Sequence, residues 1–102
     1  MEHAVARAVE FFSRLNCIVY NAGICQIAPL IEASESSFER QMKVNAKGAF
    51  LTATAAARSM LRQGSSGRTS IIASGAGKIA PGKKSSLGVY TMSKHAAVGL
   101  KR

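Results

Sequence analysis

Residues 17–23, Cys17-Ile18-Val19-Tyr20-Asn21-Ala22-Gly23, decide the fold class that we expect for this chain. The first four residues form a short apolar run, and the last three end it with a turn. A second short β-prone run follows at residues 69–73. Both runs lack the polar and apolar alternation of a half-exposed strand. Such strands are typical of parallel sheets covered on both faces, so the sequence predicts an α/β fold.

Three stretches with apolar residues at helical spacing surround these two strands. The first covers residues 2–14. The second begins after a capping serine, either Ser34 or Ser36, since Ser36 and Glu39 have capping-box spacing. It runs to about Arg62, and its end is marked by Gln63-Gly64-Ser65-Ser66-Gly67. The third starts near Leu87. The predicted apolar stripes are Val5, Val9 and Phe12 in the first helix, Phe38, Met42, Ala49, Ala53 and Ala57 in the second, and Val89, Met92, Ala96 and Leu100 in the third.

The composition is that of one small folded domain, residues 1–102, since 47% of the residues are hydrophobic and 19% are charged. Fourteen Lys and Arg against five acids give a net charge of +9. The basic residues are scattered and carry no nucleic-acid-binding motif, so we expect no nucleic-acid partner. No apolar run approaches the roughly 18 residues of a membrane span. Cys17 and Cys25 have no metal-ligand spacing, so we expect reduced thiols, no metal site and a cytoplasmic protein.

Both ends of the chain look truncated. The last helical pattern stops at Lys101-Arg102 without a capping glycine, and two parallel strands alone would leave both edges of the sheet open. We therefore expect a fragment of a larger domain.

Tyr90-Thr91-Met92-Ser93-Lys94 carries the first chemical signal. Side chains four residues apart are neighbours on a helix, so Tyr90 and Lys94 can face one site. An ammonium group beside a tyrosine favours the phenolate, which suits a general acid or base. Taken alone, this pair is more often an ordinary surface feature of a helix.

Three further signals are weak when each is taken alone. Ser74 follows the second strand, where ligands bind in open α/β sheets. Asn45 lies on the apolar stripe of its helix, one turn before Gly48, a residue that weakens helices. This combination indicates either a functional kink in the helix or an Asn side chain that is simply hydrogen-bonded to a neighbouring carbonyl. Asn21-Ala22-Gly23 would let a ligand approach the backbone, or is an ordinary turn.

Together and in this order, Asn21-Ala22-Gly23, Val44-Asn45-Ala46-Lys47-Gly48, Ser74 and Tyr90-Thr91-Met92-Ser93-Lys94 resemble the motifs of the short-chain dehydrogenases/reductases. The resemblance implies a partial Rossmann-like parallel sheet with flanking helices, and hydride transfer between NAD or NADP and a small alcohol or ketone. It implies a catalytic set of Asn45, Ser74, Tyr90 and Lys94, with Tyr90 as acid/base, Lys94 on the nicotinamide ribose, Ser74 on the substrate oxygen and Asn45 in a proton relay. It also implies cofactor contacts from Asn21, Ala22, Gly23, Tyr90 and Lys94, and a homo-oligomer for the full-length protein.

The sequence departs from the family pattern in three places. It contains no strand followed by the glycine-rich TGxxxGxG cofactor motif, and it lacks the family's C-terminal substrate loop. Tyr20 stands where the family usually has a further Asn. The stretch between Ser74 and Tyr90 is longer than usual, which leaves Ser70 and Ser85 as alternatives to Ser74. Two hypotheses therefore remain: part of an active oxidoreductase, or a non-catalytic relic or fragment that pairs with an intact relative.

Overall fold

In a computed structural model, residues 1–72 and 88–100 form four helices and two strands in the order helix, strand, helix, strand, helix, with the second helix interrupted. The elements are α1 (Glu2–Phe12), β1 (Cys17–Tyr20), a 3₁₀ turn (Leu30–Glu32), α2 (Glu35–Met42), a π-helical segment (Lys43–Lys47), α3 (Gly48–Gln63), β2 (Arg68–Ile71) and α4 (Gly88–Gly99). The predicted element order is confirmed.

The two strands pair in parallel, with Cys17 opposite Arg68 and Tyr20 opposite Ile71. The chain crosses from β1 to β2 through α2, the π-helical segment and α3, as parallel strands require a helical crossover. The predicted α/β sheet with flanking helices is therefore confirmed. β2 begins one residue earlier than expected and ends at Ile71.

The expectation that both faces of the strands are covered is wrong for the part of the chain that the structure describes. Tyr20 is buried and Ile18 is half-buried, whereas Val19, which points to the opposite face of the sheet, is 55% exposed. Both α1 and β1 pack on α3. One face of β1 thus carries the core, and the other face is open within residues 1–72 and 88–100.

The core is built mainly from small side chains of α3. Ala49, Ala55 and Ala56 are fully buried, and they allow the close approach of the elements that pack on this helix. Val5 is the buried residue of α1, while Phe12, which we expected on the same stripe, is 77% exposed. α1 ends at Phe12, and the next residue, Ser13, turns the chain in the left-handed region.

The start and the end of the crossover helix follow from local chemistry. The Ser34 hydroxyl accepts a hydrogen bond from the N–H of Ser37 at 3.0 Å, so Ser34 is the N-cap and the Ser36 alternative is wrong. At the other end, Gly64 adopts φ 68° and donates to the carbonyl of Leu61, and Ser65 donates to that of Met60. These two bonds form a Schellman motif.

The inward face of α4 differs from the apolar stripe that we expected. Val89, Ser93, Lys94 and Ala97 are buried, whereas Met92 and Ala96 are exposed. Because α4 packs on α2 and the π-helical segment, its polar residues Ser93 and Lys94 find partners inside the fold. No helix within the described ranges is both long enough and apolar enough to cross a membrane.

Gly64→Ala should lower the free energy of unfolding by about 1 kcal/mol, since a Cβ disfavours the left-handed conformation that ends α3. No atom lies within 4 Å of the added methyl group, so the decrease in stability reports backbone strain and not a steric clash. Urea titration followed by circular dichroism provides the measurement.

The matched control is Gly99→Ala, which also adds a methyl group in open space but in α4, without a positive φ. This variant should be at least as stable as the wild type, because alanine favours the helix. Equal stability of the two variants would contradict the assignment of Gly64 as a strained cap.

Candidate functional site

Asn45 occupies the middle of the π-helical segment and is 1% exposed. The N–H of Ile24 donates to Asn45 Oδ1 at 2.9 Å, and Asn45 Nδ2 donates to the carbonyl of Ile24 at 2.8 Å. One carboxamide thus satisfies both backbone groups of a residue in the loop after β1. The helix irregularity that Asn45 and Gly48 indicated in the sequence is present, and the amide has its buried partners.

Ser93 connects the same carboxamide to α4. Asn45 Nδ2 also donates to Ser93 Oγ at 2.9 Å, and that hydroxyl in turn donates to the carbonyl of Tyr90 at 2.7 Å. Ser93 is fully buried. Three segments that are distant in sequence therefore meet at Asn45: the loop after β1, the π-helical segment and the first turns of α4.

Lys94 is a buried cation, with 5% of its surface exposed. Its Nζ donates to the carbonyl of Ile72, just after β2, at 3.4 Å, and lies 5.8 Å from the centre of the Tyr90 ring. All five acidic residues lie in the described ranges, and the ion pair found there joins Arg58 to Glu2 instead. Because a buried ammonium without a carboxylate partner is costly, Lys94 is a candidate functional residue.

Gly23 lies directly against both polar side chains. A Cβ added to Gly23 would lie 3.1 Å from Lys94 Nζ and 3.4 Å from Asn45 Oδ1. Since glycine carries no Cβ, the loop backbone approaches Lys94 closely at this point. The exposed Asn21 and Ala22 precede it along the same loop.

The structure therefore brings together four of the predicted site residues, Gly23, Asn45, Tyr90 and Lys94. Ser74 and the alternative Ser85 lie outside the described residues. The other alternative, Ser70, lies inside β2 and opposite Val19, two residues before Ile72, whose carbonyl Lys94 contacts. Among the residues that the structure describes, no group of three His, Cys or acidic side chains is placed to hold a metal ion.

Sequence reasoning missed two members of the polar network, Ser93 and Gln41. Gln41 is 1% exposed, accepts from the N–H of Gln26 at 3.3 Å and donates to Ser37 Oγ at 3.2 Å. The signal was available, because Ser37, Gln41 and Asn45 repeat every four residues and so form one polar row along the helix. For Ser93, the available signal was its position beside Lys94.

Comparison with known proteins identifies the family of this chain. The family model for the short chain dehydrogenases matches residues 1–102. Sorbitol-6-phosphate 2-dehydrogenase of Escherichia coli is 39% identical over 98 residues, covering 95% of this chain and 37% of that protein. An NAD-dependent oxidoreductase of Mycobacterium tuberculosis is 36% identical over 101 residues, covering 98% of this chain and 35% of that protein.

A solved structure gives the same result. A short-chain type dehydrogenase/reductase from Mycobacterium marinum superimposes with a TM-score of 0.91 at 31% sequence identity. The match covers 97% of this chain and 40% of the other. The chain thus spans well under half the length of these relatives.

Asn45→Leu should lower the free energy of unfolding by about 1–3 kcal/mol, because both backbone groups of Ile24 lose their partner. Denaturant titration of the variant and the wild type measures the difference. Asn16→Leu is the matched control, since Asn16 is exposed and lies before β1. A variant at position 45 as stable as the control would contradict the structural role of the carboxamide.

Proposed function

The chain belongs to the short-chain dehydrogenase family, and we propose that residues 1–102 form the central, catalytic part of a nicotinamide-dependent oxidoreductase. In this proposal, hydride moves between NAD or NADP and a small alcohol or carbonyl substrate. The observation that carries the proposal is the buried ammonium of Lys94, which lies between Tyr90 and Gly23 and pairs with no acidic side chain. The family relationship supports it, since family members are oxidoreductases.

Tyr90 is the proposed general acid/base. It lies on the first turn of α4 and is half-buried, so its phenol can reach a bound substrate. When Tyr90 gives up its proton, the nearby Lys94 ammonium stabilises the negative charge that forms, and the low polarity of a buried site strengthens this attraction. Ser74 is the proposed partner of the substrate oxygen, an assignment that rests on the family motif alone.

The proposed nicotinamide cofactor would lie beside these groups. The close approach of Gly23 to Lys94 Nζ leaves the exposed loop of residues 21–23 next to a hydrogen-bond donor, which suits a ribose hydroxyl. Asn21, Ala22 and Gly23 would contact the cofactor through the backbone, and Lys94 would bind its ribose. The cofactor supplies the carbon that gives or takes the hydride. Asn45, which borders the same point as Lys94, is proposed to hold the water of a proton relay.

A second function is supported by a different observation. The uncovered face of β1, with its exposed Val19, could accept a further polypeptide, and residues 1–102 contain no glycine-rich cofactor motif. In this alternative, the chain is a non-catalytic fragment or relic that pairs with an intact relative. The two hypotheses differ in whether Tyr90 matters for turnover.

Tyr90→Phe should reduce turnover by about a hundredfold or more, since general acid/base catalysis contributes roughly 10²–10⁴-fold. The assay follows nicotinamide absorbance in the dehydrogenase that contains these residues, with secondary alcohols and ketones as substrates. His95→Ala serves as the control, because His95 is exposed on the same helix and bonds to the carbonyl of Thr91. Retention of more than about a tenth of the wild-type rate by Tyr90→Phe would exclude Tyr90 as the acid/base.

Residues 1–102 alone should self-associate and show no saturable cofactor binding at micromolar concentrations. The open sheet favours pairing with another chain. Without the glycine-rich motif, two or more charge-assisted contacts of roughly 1.5–3 kcal/mol each are missing, which weakens binding by about a hundredfold or more. Light scattering and fluorescence titration with NADH and NADPH are the measurements. A monodisperse monomer that binds either cofactor tightly would show that residues 1–102 suffice for cofactor binding.

A further inference from the structure

Tyr20 is the last residue of β1 and directly precedes the cofactor loop, Asn21-Ala22-Gly23. Its side chain is buried, with 9% of the residue exposed, and points toward the crossover helix. There the Tyr20 hydroxyl donates a hydrogen bond to the carbonyl of Val44. A single phenol thus joins the end of β1 to the residue before Asn45.

The carbonyl of Val44 is available because the helix is wound as a π-helix at this point. In an α-helix, the N–H of Gly48 would donate to Val44, four residues earlier. Here the Gly48 N–H donates to the carbonyl of Lys43, five residues earlier. Val44 therefore lacks its α-helical donor, and the Tyr20 hydroxyl takes that place.

Gly48 provides the space for this contact. A Cβ on Gly48 would lie 2.9 Å from Tyr20 Cζ and closer still to the hydroxyl group. Any residue other than glycine would push the phenol away from the helix. Tyr20 and Gly48 are thus complementary, and together they favour the π-helical geometry over the α-helical one.

We propose that Tyr20 is a positioning residue: it holds the π-helical segment in the winding that places the Asn45 carboxamide on Ile24 and Ser93. This role rests on the proposed function for its catalytic consequence, but its structural part stands on these contacts alone. Burial raises the pKa of Tyr20, so the hydroxyl stays protonated and remains a donor at neutral pH.

The test compares Tyr20→Phe with the wild type by NMR in the dehydrogenase that contains these residues, using the side-chain amide protons of Asn45 as the probe. Gln63 provides an internal control, because it holds Leu15 in the same way: the N–H of Leu15 donates to Gln63 Oε1, and Gln63 Nε2 donates to the carbonyl of Leu15 at 3.0 Å. Tyr90→Phe is the matched variant, since it removes the other phenol hydroxyl of the chain.

In Tyr20→Phe, exchange of the Asn45 amide protons and the Ile24 N–H should accelerate by about tenfold, while exchange at Gln63 stays unchanged. Tyr90→Phe should leave both probes as in the wild type. Unchanged exchange at Asn45 would overturn the proposal. Equal acceleration at Asn45 and Gln63 would also overturn it, because Tyr20 would then stabilise the fold as a whole.

The catalytic consequence is measured by steady-state kinetics on the same dehydrogenase. Tyr20→Phe should lower kcat by about fivefold to tenfold and leave KM for the alcohol within about twofold, because Asn45 acts on proton transfer and not on substrate binding. An unchanged kcat would overturn the positioning role. A wild-type protein without any turnover would instead refute the proposed function, while the NMR result would still decide the structural part.

Discussion

The pair of hydrogen bonds between the Asn45 carboxamide and the backbone of Ile24 is the contact on which the geometry of the site depends. It fixes the loop after β1 against the crossover helix, and through Ser93 it fixes the start of α4 to the same point. Gly23, the neighbour of Ile24, is thereby held against Lys94. Because loop backbone groups have no strand partner, they need such side chains to stay paired away from water.

The same device holds the chain on both sides of β1. Gln63, at the end of α3, bonds both backbone groups of Leu15, before the strand. Asn45 and Gln41 bond Ile24 and Gln26, after it. A carboxamide offers a donor and an acceptor at once, so each of these residues can satisfy a stretch of irregular backbone. The crossover helix thus positions β1 by polar contacts at both ends as well as by its buried alanines.

The site carries a buried positive charge, that of Lys94, without an acidic partner. None of the five acidic side chains pairs with Lys94, in a chain that carries 14 basic residues and a net charge of +9. The carbonyl of Ile72 accepts a hydrogen bond from the buried ammonium, but a neutral carbonyl leaves the positive charge without a counter-charge. A developing phenolate or a polar, oxygen-rich ligand would balance that potential, which agrees with the proposed oxidoreductase chemistry.

The sequence by itself determined the element order, the parallel sheet and the family, because strand runs, caps and motif order are local properties. β1 was predicted with its correct bounds, and residues 63–67, which contain the C-cap Gly64, marked the end of α3. Asn45, placed on an apolar stripe and followed by Gly48, already indicated a helix irregularity. Tertiary structure alone decided the partners: a polar side chain shows in sequence that it needs a hydrogen bond, but not which distant backbone supplies it. For the same reason, the buried face of α4 contains Ser93 and Lys94 and not Met92 and Ala96. This face packs against the π-helical segment, where polar side chains find hydrogen-bond partners. Likewise, the contact of Tyr20 with Val44 and Gly48 depends on how β1 and the crossover helix approach each other, a distance that no local pattern encodes.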